Sequence, residues 1–346
     1  MLESIWFVLW GVLWAVYFML DGFDLGLGTL MPVLGKNEAE KNVIYGAMGP
    51  FWNGNEVWLI SAGGVTFAAF PTTYAVMFSG LYSALMLILF ALIFRGVSIE
   101  FRNTVDNPSW KAAWDWCLMV ASFLPALLLG VAFANIFRGI PIDQNGIYQG
   151  TLFTLLNPYG ILGGLLFVLM FLLHGSLWLA TKSKGDLQQR TAVLAGKLWV
   201  VLLIVAVLFL VATWFSTNLY DNYTKNPLLY ILPLALIPLL TVGALLMIRS
   251  FIVRSQWWKA WSASSVTIVG VTFFGLAGLF PNLLPSSLNP AFSLTIFNSA
   301  SSQLTLKIML GVALVFVPIV IAYQAWVYRF FHHNQEESGS FAGNAH

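Results

Sequence analysis

Leu198-Trp-Val-Val-Leu-Leu-Ile-Val-Ala-Val-Leu-Phe-Leu-Val-Ala212 carries no charged or amide side chain, and Ile308–Ile321 repeats the pattern. Runs this long and continuous cannot alternate between a lipid face and a lumen face, so they are helices rather than barrel strands. Those are the two ways to hide backbone N–H and C=O groups from lipid. The rest of the chain agrees. Of its 346 residues, 59% are apolar types and only 9% are Asp, Glu, Lys or Arg, whereas a soluble globular chain carries about 25% charged residues. Too few polar groups exist to cover a water-facing surface. The net charge of +2 is small and dispersed, which argues against nucleic acid as a partner. A single cysteine, Cys117, excludes an internal disulfide and a cysteine-ligated cluster. Met1–Ile5 holds Glu3 and no Lys or Arg, so the first apolar run reads as part of the mature chain and not as a cleaved signal.

A helix needs about 20 mostly apolar residues to cross the hydrocarbon core. That ruler gives nine spans, Ile5–Met31, Trp58–Phe70, Tyr74–Phe94, Trp116–Phe137, Leu152–Ala180, Ala192–Ser216, Leu228–Ile248, Ala260–Leu279 and Leu304–Phe330. The expected fold is an all-α integral membrane protein: one polytopic domain over residues 1–331, arranged as two four-helix bundles plus one peripheral helix, with a polar, disordered tail over 332–346. With the N-terminus outside and the C-terminus cytoplasmic, 13 of the 16 basic residues face inward, leaving only Arg138, Lys225 and Lys307 outside.

Acidic residues inside spans single themselves out. Asp21 and Asp24, in Asp-Gly-Phe-Asp, lie within the first span and share a helix face. A carboxylate at the bilayer centre costs roughly 2.5–3.5 kcal/mol on insertion scales. Two together are expected to retain a proton unless a cation or a dense set of donors compensates. The pair reads as a proton-relay station or a cation site, against the plainer alternative of a structural pair. Gly22, Gly26 and Gly28 leave room for another helix to approach. The second constellation is Gly49-Pro-Phe-Trp-Asn-Gly-Asn-Glu-Val-Trp58, where Asn53 and Glu56 are again three apart and Trp52 and Trp58 flank them. It reads as the inner mouth of a proton path or as an interfacial cap. Arg95, Glu100, Arg102 and Asp115 read as interfacial ion pairs. Only His174 among four histidines falls in a span, too few for bis-histidine haem or a metal cluster, so no metal or haem ligand is assigned and His174 reads as a packing residue.

At Asp21-Gly-Phe-Asp-Leu-Gly-Leu-Gly28 and Pro50-Phe-Trp-Asn-Gly-Asn-Glu-Val-Trp-Leu-Ile-Ser-Ala-Gly-Gly64 the chain resembles subunit II of the cytochrome bd quinol oxidases. The resemblance continues in order through Phe94-Arg-Gly-Val, Trp114-Asp-Trp116, Ser122-Phe-Leu-Pro, Gly130-Val-Ala-Phe-Ala-Asn135, Leu155-Leu-Asn-Pro-Tyr-Gly160, Phe280-Pro and Ser301-Ser-Gln-Leu-Thr-Leu306. It implies a heterodimeric terminal oxidase of the bacterial or archaeal cytoplasmic membrane that oxidises quinol, reduces dioxygen to water and draws its protons from the cytoplasm without pumping. It also implies two haems b and one haem d carried by the partner, subunit I, with a bound quinone in this subunit and single-helix accessory subunits in some members. This subunit would be haem-free, would support assembly and haem retention, and would contribute to a proton path, with membrane quinol and lipid as its other partners. Asp21, Asp24, Asn53 and Glu56 are the candidate path residues, and Trp52, Gly54, Asn55 and Trp58 the supporting ones. One departure stands out: Asn53 is an amide where many members carry an acid, and Glu56 is an acid where Gln is common. Glu56 is therefore expected to have taken over the titrating role. Two rivals remain, a secondary transporter with Asp21 and Asp24 as its coupling-ion site, and a purely structural subunit.

Overall fold

The computed structural model describes residues 1–225 and 236–337. The chain is helical almost throughout. Its long helices are α1 (Leu2–Leu34), α3 (Trp52–Ala69), α5 (Tyr82–Phe101), α6 (Pro108–Arg138), α8 (Pro158–Lys182), α9 (Gly185–Ser216), α11 (Leu236–Val253), α12 (Trp257–Leu279) and α13 (Gln303–Glu337). Short helices α2 (Glu38–Met48), α4 (Pro71–Gly80), α7 (Leu152–Leu155) and α10 (Leu219–Lys225) join them. Among the described residues, eight helices are long and apolar enough to cross a membrane. The chain is a multi-pass membrane protein. α3, the short second span of the sequence reading, is not one of the eight, because its Trp-Asn-Gly-Asn-Glu start keeps its composition polar.

Several boundaries moved, for reasons visible in the chain. The Tyr74–Phe94 span is two helices. Pro71 forces Phe70 out of helical geometry (φ −134°, ψ 62°) and opens α4, and the chain breaks again at Leu81 before α5. The span therefore runs to Phe101, not Phe94. Leu152–Ala180 is likewise divided: Asn157 caps the backbone N–H of Gly160 and Pro158 occupies the first turn of α8. The first part of Leu228–Ile248, with Pro233, lies outside the described residues, and α11 covers the remainder. α13 continues beyond Phe330 to Glu337, since no Gly or Pro falls between them and extending a formed helix costs little. Residues 338–346 of the expected tail lie outside the described residues.

α1 is the axis. It packs against α3, α6, α8 and α12, with α5 on α6, α9 on α8 and α11 on α12. Where α1 crosses α8 the backbones nearly touch. A Cβ on Gly26 would collide with the Phe171 carbonyl, and one on Gly175 would sit 2.7 Å from the Leu27 nitrogen. α13 lies on the rim, in contact with α1 and α3 and, through Tyr328, with Trp178 of α8, and is otherwise largely exposed.

One end of the bundle gathers the α1–α2, α5–α6 and α8–α9 connections, with their charges paired. Arg102 Nε lies 2.6 Å from Asp115 Oδ1, and Lys41 Nζ 2.8 Å from Asp115 Oδ2. Arg102 Nη2 reaches Glu38 at 2.9 Å, and burial pushes the Tyr45 phenol, which donates to Asp115, above its ordinary range. Glu40 accepts from Arg190 at 2.7 Å and from the Lys36 backbone N–H at 2.9 Å. The Arg190 hydrogen bond, then the Lys36 one, hold the Glu40 carboxyl below the usual carboxylate range. A depressed carboxylate stabilises the folded state above its unfolded pKa and loses that contribution as pH falls through the folded value. On heating, the Glu40→Gln variant should unfold below wild type at neutral pH, by the small margin of a pair at the rim, and converge on it as pH falls into the acid range. Equal differences at neutral and acid pH would remove Glu40 as the tether of α2 to α9.

Candidate functional site

The buried stripe of α3 is Asn55, Trp58, Ala62, Thr66 and Ala69, a helical repeat that turns Asn55 and Trp58 into the bundle. Asn53 and Gly54 consequently face outward and are exposed, while Glu56 lies at the edge of the buried face. Asn53 and Glu56 do not act as a pair. Opposite this stripe, α1 presents Asp21 and Asp24, both completely buried.

The two aspartates have different partners. α5 carries Arg95, also completely buried, whose Nη1 lies 2.8 Å from Asp21 Oδ1. The contact is an ion pair by distance, off the line of a hydrogen bond. The other arm, Nη2, lies 3.7 Å from Glu56 Oε2. The guanidinium thus bridges two carboxylates from α1 and α3, and supplies the compensating cation that the sequence reading left open. Gly96, next to it, gives Trp52 its place: a Cβ there would sit 3.0 Å from the indole ring. Asp24 turns the other way. Its Oδ2 accepts from Asn55 Nδ2 at 2.8 Å, and the same nitrogen donates to the Leu20 carbonyl at 3.2 Å.

α13 completes the site. Tyr328 OH donates to Asn55 Oδ1 at 2.9 Å, Gln324 Nε2 donates to the same oxygen at 3.2 Å, and Trp58 Nε1 donates to Gln324 Oε1 at 2.7 Å. Around it, Asp24 Oδ1 and Arg95 Nε find no hydrogen-bond partner among the described residues, and Tyr17 OH and Asp21 meet only at the margin of hydrogen-bond geometry. Buried polar atoms usually have a partner, so this concentration of unpaired ones marks the place. Two grooves approach it. One, about 340 Å³, lies between α3 and α5 and is lined by Trp52, Glu56, Gly96 and Glu100. The other, about 280 Å³, lies between α3 and α13 and is lined by Gly54, Ser61, Gln324 and Tyr328.

Sequence reasoning placed Arg95 at the membrane edge because it ended the span at Phe94. The helix runs on, and the guanidinium is interior. The available signal was an arginine with apolar residues on both sides inside one helix. Gln324 and Tyr328 were missed altogether; their signal is a polar pair four residues apart in the last apolar run. Asn55 stood only as a supporting residue and is the node of the network. Glu100 remains exposed, and Arg102 and Asp115 pair at the bundle end as expected. His174 is buried with both ring nitrogens engaged, Nδ1 with Ser264 Oγ at 3.0 Å and Nε2 with the Met19 carbonyl at 2.9 Å, and it stacks on Trp261. It offers no free nitrogen to iron.

Comparison with known proteins follows this geometry. Residues 2–331 match the family described as cytochrome bd terminal oxidase subunit II. A probable cytochrome oxidase subunit 2 from Haemophilus influenzae is 37% identical, over 94% of this chain and 93% of that protein. The cytochrome bd-I ubiquinol oxidase subunit 2 of Escherichia coli is 34% identical over the same shares, 94% and 93%. The cytochrome bd ubiquinol oxidase subunit 2 of Bacillus subtilis is 37% identical over 95% and 96%. In fold, the chain is similar to the bd oxidase structure from Geobacillus thermodenitrificans, with a TM-score of 0.75 at 16% identity, covering 95% of this chain and 98% of that one. An all-helical membrane bundle with buried acids on its first helix, matched along nearly its whole length, belongs to the cytochrome bd terminal oxidase subunit II family.

Proposed function

We propose that this chain acts as the haem-free subunit II of a quinol-oxidising terminal oxidase in the bacterial cytoplasmic membrane. In this reading subunit I carries two haems b and haem d, and this chain supports assembly and contributes a proton path from the cytoplasm toward the partner. The observation that carries the path is the Arg95 bridge. Asp21 and Glu56 share one guanidinium, with Asp24 one helical turn beyond Asp21, and that cation balances one negative charge. Desolvated carboxylates beyond that number are too costly to leave charged and unpaired, so the cluster is a place where protons are held. Glu56, whose side chain is 20% exposed and lines the α3–α5 groove, is the contact with water. Asp21 and Asp24, at 0%, are the interior acceptors. The unpaired polar atoms suit water molecules joining them. Asn53, outside the cluster, takes no part.

The topology proposed with it has nine spans, α3 counted among them, in two four-helix bundles with α13 peripheral. The N-terminus is outside and the C-terminus cytoplasmic. The paired basic connections at one end of the bundle support placing that end in the cytoplasm. The engaged nitrogens of His174 leave that residue unsuited to ligating haem. An apolar cavity of about 320 Å³ between α8, α9, α11 and α12, lined by Leu166, Met170, Phe209, Leu245 and Phe274, is in the size range of small-molecule pockets, about 300–1,000 Å³, and suits a bound quinone. The transporter reading gains nothing from the family or from the site, where an arginine occupies the place a coupling cation would need.

The test is Glu56→Gln in the heterodimeric complex, with haem content, quinol-dependent oxygen consumption and proton uptake measured together. Haem content should stay at the wild-type level. Turnover and proton uptake should fall about 10²-fold, the low end of what a positioned proton-transfer group contributes. Unchanged turnover would remove Glu56 from the path.

A further inference from the structure

Two groups with a single hydrogen-bonding role stand at the ends of the α13 network. The Trp58 indole N–H only donates, and the Leu20 carbonyl only accepts. Trp58 Nε1 lies 2.7 Å from Gln324 Oε1, so Gln324 must turn its oxygen to Trp58 and its NH₂ toward Asn55. Asn55 receives that NH₂ at 3.2 Å and the Tyr328 hydroxyl at 2.9 Å on one atom, Oδ1. The other end of the same amide meets the Leu20 carbonyl at 3.2 Å and Asp24 Oδ2 at 2.8 Å. Neither amide can flip without breaking contacts at both ends. Asn55 therefore always shows Asp24 a donor and never an acceptor.

That direction matters chemically. An N–H serves a carboxylate oxygen or the carbonyl oxygen of a carboxylic acid, but it cannot accept the acid's O–H. When Asp24 holds a proton, the O–H must point away from Asn55, toward the side of Asp24 Oδ1, which has no partner among the described residues. The lock thus keeps the proton on the interior side of Asp24 and off the α3–α13 groove, which begins at Gln324 and Tyr328. The helix that supplies the lock is otherwise loosely held: α13 packs on α1 and α3, with Tyr328 also against Trp178 of α8, and most of its surface is exposed.

We propose that Gln324 and Tyr328 are positioning residues, which lock the Asn55 amide so that Asp24 meets a donor on the α13 side and delivers its proton inward. This rests on the proposed proton path through Asp24. An amide left free to flip would spend part of its time with Oδ1 toward Asp24, where it would hold the acid's O–H in the wrong direction and slow release.

The experiment uses the intact heterodimer carrying Tyr328→Phe, Gln324→Met, Gln324→Glu or Asp24→Asn. Haem content, turnover at saturating quinol and the solvent deuterium isotope effect on turnover are measured for each. Tyr328→Phe and Gln324→Met should keep full haem content and each lose about fivefold in turnover, the size of one net hydrogen bond, with an enlarged isotope effect because proton delivery becomes limiting. Gln324→Glu has nearly the same shape but sets an oxygen against Asn55 Oδ1, so it should cost more than Gln324→Met. Equal losses in those two variants, or losses that merely track missing haem, would overturn the lock and leave a packing contact. Unchanged turnover in the α13 variants while Asp24→Asn is slow would overturn the lock and leave the proton path standing. Full turnover in Asp24→Asn would overturn both.

Discussion

Arg95→Leu should yield little folded complex, and what can be purified should unfold well below the wild-type temperature. The residue has no exposed surface and stands between Asp21 at 2.8 Å and Glu56 at 3.7 Å. Removing one member of a buried pair leaves the other uncompensated, which costs about 3–5 kcal/mol. That is a large share of the ~5–15 kcal/mol that ordinarily keeps a protein folded. Replacing the charges together is far milder, so Arg95→Leu combined with Asp21→Leu should recover much of the loss. The readout is the thermal midpoint of the complex in detergent for the two single variants and the double. Additive losses would show that Arg95 and Asp21 do not depend on each other, and the bridge would then be a coincidence of position.

Asp24→Asn should do the reverse, assembling normally and turning over slowly. The substitution keeps size and shape. One amide atom can still face Asn55 Nδ2, so the hydrogen bond at 2.8 Å survives and the fold has little reason to suffer. What disappears is the carboxyl that the proposed path needs to bind and release a proton, and the expected loss is about 10²-fold in turnover at full haem content. Haem per complex is measured beside oxygen consumption per haem. A purely structural subunit gives the opposite pattern, with haem lost and turnover per haem retained, and that result would end the proton-path reading at Asp24. Arg95 and Asp24 thus separate what the cluster does for folding from what it does for transfer.

The chain announces its fold class in every apolar run, because lipid admits so few alternatives. Eight of the helices are recoverable from length and hydropathy alone. Their ends are less so. Hydropathy cannot see the break at Leu81, and shifting the next helix toward Phe101 moved Arg95 from the rim into the interior. α2 and α10 were not foreseen, being short, polar elements without a long apolar run. The motif that carries Asp21, Asp24 and Glu56 stood out in the sequence because carboxylates are scarce within spans. Asn53 lies exposed and away from the cluster for a simple reason: residues three apart share a face in the abstract, but which face points inward depends on the neighbours that bury Asn55 and Trp58 instead.

By itself, then, the sequence determined that this is a helical membrane protein, that the scarce acids within its apolar stretches lie on the first helix and at the start of the third, and which family it resembles. These follow from composition, spacing and motif, all of which are local. The tertiary structure alone decided that Arg95 joins Asp21 to Glu56, that Asp24 answers to Asn55, and that the last helix orients that amide through Gln324 and Tyr328. Those contacts join residues from 31 to 273 positions apart along the chain. The partner of a buried charge is set by how the helices pack around it, and packing is a property of the assembled bundle that no single segment contains.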